Sequence, residues 1–385
     1  MTVMAAYIVP HPPLIVPAVG AGQEKMIQDT VDAYHSVASE IGKIKPDTVI
    51  VITPHSIMYQ DYLHISPGDG ATGHLKRFGD NKTRISVDYD TELVSEIEML
   101  AGKEGIAAGT LGEREKDLDH GAVIPLYFIE QYLEEFETVR VSVSGLTPLE
   151  HYRFGKCIKE ASEKLNRKTV IVASGDLSHR LKEEGPYSYA EEGPIFDEKV
   201  TSAMESGDFL KFMQFDEGFL EAAGECGLRG FVVMAGALDG ISVDSKLLSY
   251  EGPFGVGYAV ASFYPKDTDE TRNFDVQYQK GLKSEIDDVR DAEGELVRLA
   301  RLSLETYVKE RKYLKEPTEL SEKITKHKAG VFVTLKKEGR LRGCIGTISP
   351  VEDGIASEII RNAVSAGTGD PRFDPVSKEE LKELI

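Results

Sequence analysis

Tryptophan is absent, and cysteine is scarce: only Cys157, Cys226 and Cys344 occur among 385 residues. Their odd number, wide spacing and lack of a CxxC pair exclude a disulfide framework and point to a reducing, cytosolic setting. Positive charge is also in deficit, with 45 Lys and Arg against 65 Asp and Glu, a net of −20. Such a surface repels phosphate backbones and anionic bilayers, so neither nucleic acid nor a membrane is an expected partner. It carries no information against a homo-oligomer. No apolar run reaches transmembrane length and no basic-then-apolar leader opens the chain, so neither insertion nor export is expected. Familiar catalytic signatures are missing as well. "GDGATG" at 68–73 lacks the Gly-Lys-Ser/Thr ending of a phosphate loop, no strand-GxGxxG-helix unit occurs, and "SGDLSH" has no GxSxG elbow around its serine.

What is present is alternation. The β-branched runs "MAAYIV", "TVIVIT", "TVRVSV" and "TVIVAS" are separated by helix-period segments, the signature of βαβ units around a buried, mostly parallel sheet. Within residues 23–43, Ile27, Val31, Tyr34, Ala38 and Ile41 recur at spacings of three and four, one apolar stripe to lay on that sheet. Helical segments at 147–165, 188–204 and 228–238 and a closing strand in "GVGYAVASFY" complete an α/β domain over 1–265. Residues 266–285 are polar and lack either period, which predicts a linker. A smaller α+β domain is expected over 286–385: a helix with Leu296, Leu299, Leu302 and Leu304 inward, two strands joined at "KKEG", and a helix near 351–367. Its few strands predict a domain incomplete at its C-terminus.

In open α/β sheets the ligand crevice lies beyond the carboxyl ends of the strands. His11 in "YIVPHPPL", His55 in "VITPHSIM", and Asp176 and His179 in "SGDLSH" all follow predicted strands directly. Two neutral imidazoles suit iron, zinc, copper or nickel, and a third ligand decides the chemistry. Two candidates stand side by side in "AAGECGLRG". With Glu225 the set is a two-His-one-carboxylate triad on ferrous iron, open to substrate and O2; with Cys226, copper, zinc or a redox role follows. His120 precedes the apolar run "AVIPLYFIEQYL", with Asp119 as the better helix cap. His120 or His179 is suited to general acid–base work, since imidazole titrates near neutrality. Ser174 is expected to be a strand-end hydrogen bonder.

This pattern resembles the class III extradiol ring-opening dioxygenases over about residues 1–265. The resemblance implies non-haem Fe(II) held by His11, His55 and a downstream glutamate, with His120 of "DHG" and His179 of "SGDLSH" over a catecholic substrate as acid–base groups, and Asp176 orienting an imidazole. The same motifs resemble the Memo family, which has a cysteine where the dioxygenases have glutamate and is linked to redox and metal handling. "ECG" offers both residues, so the third ligand stays open at this point. The second domain resembles the AMMECR family on the strength of "GVFVTLKKEG", "RLRGCIG" and "DPRF". That pairing is similar to AmmeMemoRadiSam proteins and implies a separately encoded radical-SAM partner, since this chain has no CxxxCxxC cluster motif of its own. Cys344 in "RLRGCIG" is read either as a nucleophile or as a small residue that lets strands pack closely.

Overall fold

The structure, a computed structural model, describes residues 2–112, 114, 117–185 and 187–385. The β-branched runs become strands because branched side chains pack well on a pleated, buried surface. Four of them, β1 (Val3–Val9), β2 (Thr48–Thr53), β3 (Glu137–Ser142) and β4 (Thr169–Ser174), run parallel. Two longer strands, β5 (Ile241–Glu251) and β6 (Tyr258–Thr268), join as an antiparallel hairpin. The sheet order is β5-β6-β1-β4-β2-β3, with β6 antiparallel to β1. The expected mostly parallel sheet flanked by helices is thus present.

Alternate residues of each strand feed separate cores. Val49 and Val51 pack with Tyr34, Val37 and Ile41 of helix α1 (Gln28–Ile44), on the face that also takes Val123 and Leu126 of α3 (His120–Ile129). Ile50 and Ile52 belong to the other face, with Leu93 and Ile97 of α2 (Thr91–Lys103), Ile158 of α4 (Pro148–Lys164), Phe196 of α5 (Glu192–Ser206) and Phe231 of α6 (Leu228–Gly236). The β1–β2 crossover runs through α1 on one face and the β3–β4 crossover through α4 on the other. The carboxyl ends of the adjacent strands β1, β4 and β2 therefore border a single crevice.

Two features depart from expectation. Residues 266–285, read as a linker, hold the end of β6 and much of a helix, α7 (Phe274–Asp291). In that helix Phe274, Tyr278, Leu282, Ile286 and Val289 recur at spacings of three and four, a period masked by the charges between them, and only Phe274 and Asp275 are buried; Phe274 docks under the Arg272 guanidinium, 5.0 Å from its ring centre. β5 is equally unannounced, because Asp244, Lys246 and Glu251 interrupt its apolar residues.

The chain divides into compact units at Met1–Tyr278 and Gln279–Ile385. In the second, α8 (Glu295–Glu310) and α9 (Ile355–Thr368) pack on the antiparallel pair β7 (Phe332–Lys337) and β8 (Arg340–Gly346) around Leu304, Val308, Val333, Leu335 and Ala363. The strands turn at Glu338 and Gly339, both at positive φ (51° and 76°), as a tight hairpin demands. Among the described residues, no helix is long and apolar enough to cross a membrane.

Candidate metal centre

Each strand of the crevice hands over one group. β1 ends two residues before His11, β2 two before His55, and β4 two before Asp176. The Ser174 hydroxyl, the last side chain of β4, lies 3.0 Å from His11 Nδ1, which leaves Nε2 facing the crevice. Asp176 Oδ1 accepts the His11 backbone N–H at 2.8 Å, tying β4's loop to β1's. His55 Nε2 comes within 2.9 Å of His11 Nε2.

The third element arrives through a backbone contact. A side chain on Gly175 would collide with Gly227, so the loops of β4 and α6 approach as closely as two glycines allow. Cys226 is thereby pressed against Asp176: its Sγ accepts the Asp176 N–H at 3.3 Å and stands 3.6 Å from His11 Nε2. His11, His55 and Cys226 form a group whose donor atoms all lie within 4.8 Å of one another. Ligand bonds of about 2.0–2.3 Å set the donors of one ion roughly 3–4 Å apart, so these side chains fit a metal ion. Glu225 is not part of the group. Its Oε2 instead accepts the Leu228 N–H at 2.7 Å, capping the first turn of α6. The carboxylate expected to complete an iron triad is thus engaged at the helix terminus, because adjacent residues in a tight turn point in different directions.

Around the donors lie more imidazoles. His120 stacks on His55 with ring centres 4.3 Å apart at 22°, and meets His11 edge-on at 5.2 Å. His179 is held by the Gly224 carbonyl, 2.5 Å from its Nδ1, so that nitrogen carries the proton and Nε2 keeps a lone pair. Burial pushes every one of these histidines down. His11 lies well below the usual imidazole range, from burial first and then from His55, His120 and His179. His55 is lowered by burial against the opposing charge of Asp119, and His179 by burial. His120 is pushed down to about 4 by burial and by His55. All are neutral at pH 7, the form that binds metals and accepts protons. Burial raises Asp176 to about 7 and pushes the Cys226 thiol well up, with Asp176 and Glu225 adding to the latter.

Residue-by-residue reasoning overlooked Arg140 and Thr53. Thr53 Oγ1 donates to Asp119 at 2.6 Å and stands 3.3 Å from the His55 N–H. A lone arginine inside "TVRVSV" was the available signal for Arg140.

Comparison with known proteins adds the family. Residues 5–261 match the family described as the catalytic LigB subunit of aromatic ring-opening dioxygenase, and residues 297–385 match AMMECR1. Protein CA_C1420 of Clostridium acetobutylicum is 39% identical over 394 residues, spanning 100% of this chain and 83% of that protein. A protein of Methanothermobacter thermautotrophicus is 44% identical over 95 residues, 25% of this chain and 48% of its own length, so this chain spans about half of that relative. Among solved structures, the uncharacterized protein PH0010 from Pyrococcus horikoshii matches 23% of this chain and 45% of its own at 38% identity and TM-score 0.22. The uncharacterized protein JW3007 from Escherichia coli K12 matches 67% of this chain and 99% of its own at 14% identity and TM-score 0.47. With a crevice of strand-end histidines and a family match across most of its length, the chain belongs to the LigB family of class III extradiol dioxygenase-like proteins and carries an AMMECR1 domain behind it.

Proposed function

We propose that this protein is a metal-dependent oxidoreductase of the extradiol dioxygenase type, acting with O2 on an ortho-dihydroxy aromatic substrate, its ion held by His11 and His55 with the Cys226 thiolate in the place of the triad's carboxylate. The observation that carries the reading is the convergence of two metal-competent imidazoles with two further neutral imidazoles at one sheet edge. Iron(II), when bound, supplies Lewis acidity and redox chemistry with dioxygen that no side chain has. His11 is presented by Ser174 and by the Asp176 carboxylate on its backbone N–H, so its ring cannot swing away. His179, with its proton fixed on Nδ1, offers Nε2 as a general base toward a phenolic hydroxyl. His120, neutral and stacked on His55, is the second proton carrier, able to hold a substrate proton and return it. Asp176 acts through its hold on His11 rather than on substrate.

A second reading has its own observation. Cys226, not Glu225, faces the histidines, and a His-His-thiolate set suits copper or zinc as well as iron. On that reading the domain is a Memo-like metal or redox protein without ring cleavage, and the AMMECR1 domain recruits a partner such as a radical-SAM protein. Anaerobic metal analysis followed by oxygen uptake with a panel of catechols separates the two. Near-stoichiometric ferrous iron with catechol-dependent uptake supports the oxidoreductase; bound copper or zinc, or iron without uptake, supports the second reading.

A further inference from the structure

β3 carries a charge where its neighbours carry valines. Arg140 is 1% exposed, and Val139 and Val141 on either side of it point into the core of the opposite face. Burying an arginine costs several kcal/mol unless its charge is answered. Its Nε donates to Ser66 Oγ at 2.6 Å and one Nη to the Asp117 carbonyl at 2.8 Å. Its charge is answered by Asp119, whose carboxylate lies 3.7 Å away and is itself 6% exposed.

Asp119 divides its oxygens between two tasks. Oδ1 accepts the Thr53 hydroxyl at 2.6 Å and the Ala122 N–H at 3.2 Å, so it joins the end of β2 to the first turn of α3. Oδ2 is buried with no hydrogen bond among the described residues, and Arg140 is the cation it faces. Thr53 Oγ1 also lies 3.3 Å from the His55 N–H, and His120 is the residue after Asp119. Gly121 completes the junction, since a side chain there would collide with Thr53 Oγ1. One carboxylate thus ties the segment bearing His55 to the segment bearing His120, and one buried guanidinium fixes that carboxylate.

We propose that Arg140 and Asp119 are positioning residues: their buried ion pair sets the stacked spacing of His120 on His55. The assignment of His120 as a proton carrier rests on the function proposed above; the positional claim itself does not. The test uses the full-length protein labelled with 13C at histidine Cε1, metal-free for the histidine resonances and iron-loaded for oxygen uptake with a catechol. Arg140→Gln removes one charge, Asp119→Asn removes the other while retaining an oxygen for Thr53 and Ala122, and the double variant leaves neither charge buried alone. The expected result is that the His55 and His120 resonances move in all three, and that kcat falls about 10- to 100-fold with little change in KM, as when a group orienting a ligand is lost. The double variant recovers the melting temperature lost by the singles but not the resonance positions. Should the double variant restore the resonances along with the melting temperature, the pair only neutralises itself and the proposal is overturned. Parent-like histidine resonances in a folded Arg140→Gln or Asp119→Asn protein overturn it equally. If the resonances move as stated while the parent consumes no oxygen with any catechol, the positioning stands and the dioxygenase reading falls.

Discussion

The two units treat ionisable groups in opposite ways. Around its crevice the LigB unit buries groups that form no ion pair among the described residues and drives them toward neutrality: histidines fall, and Asp176 and Asp197 rise to about 7, chiefly through burial. The AMMECR1 unit pairs its groups and keeps them charged. Asp370 takes both Arg372 nitrogens, at 2.9 and 2.7 Å, and the Cys344 N–H at 2.8 Å, which hold its carboxyl well below the usual range. Glu358 is lowered by the Thr347 hydroxyl and by the N–H groups of Glu352 and Val351. Neutral, desolvated donors can take an ion or a proton; Asp370 and Glu358 are buried as well, at 4% and 0% exposure, but their charges are paired and hydrogen-bonded already. The contrast sets the candidate chemistry in the first unit and leaves the second with buried charge clamps that hold its fold.

The largest effect expected is on metal content. His55→Ala removes one of the three donors, so metal analysis should fall from near-stoichiometric to background while the AMMECR1 unit stays folded. A variant that keeps full metal and turnover would remove His55 from the centre. Next comes the adjacent pair. Cys226→Ser should weaken metal binding by about 10- to 100-fold, whereas Glu225→Gln should leave it intact and lower stability by about 1 kcal/mol through the weakened cap. Because the Cys226 thiol is pushed far up, loading an ion must expel its proton. Calorimetry in buffers of different ionisation enthalpy should show this release in the parent and lose about one proton per ion in Cys226→Ser; equal release in both would place the thiol outside the centre.

Smaller effects sharpen the contrast through pH. Asp197 accepts the Ser178 N–H and the Tyr250 O–H at 2.8 and 2.7 Å, and burial still raises it to about 7. Between about pH 4 and 7 the native state therefore holds a proton that the unfolded chain has released. Its contribution is fully present below about pH 4 and is lost as pH rises through 7. Asp197→Asn should flatten the melting profile of the first unit between pH 5 and 8 by ~5 °C; an unchanged profile would show that Asp197 is ionised throughout. Asp370 has the opposite sign. Its depressed carboxyl stabilises the second unit above about pH 4, and that contribution disappears as pH falls further. Asp370→Asn should remove this acid sensitivity, read by circular dichroism from pH 5 to 2, while leaving metal binding untouched.

Much of this arrangement is legible along the chain. A β-branched run closed by proline and histidine announces a strand-end histidine, and it does so at both His11 and His55, because parallel strands buried on both faces are nearly pure Val and Ile. The polar helix α7 and the edge strand β5 were not legible, for a shared reason: each buries too few residues for its period to stand out from its charges. Arg140 stands as a lone charge inside an apolar strand, but its role was not legible there, because its partner Asp119 is 21 positions away and only folding brings them to 3.7 Å.

The sequence by itself determined the α/β alternation and the three strand ends from which chemistry is possible, since these follow from local period and composition, while its motifs carried the resemblance to the two families. Tertiary structure alone decided which of two neighbouring residues joins the histidines. Glu225 and Cys226 are equivalent in sequence position, but the Gly175–Gly227 contact and the open N–H groups of α6 turn the carboxylate to the helix and the thiol to His11. A ligand's direction is a property of the turn that carries it, and that turn is shaped by what packs against it.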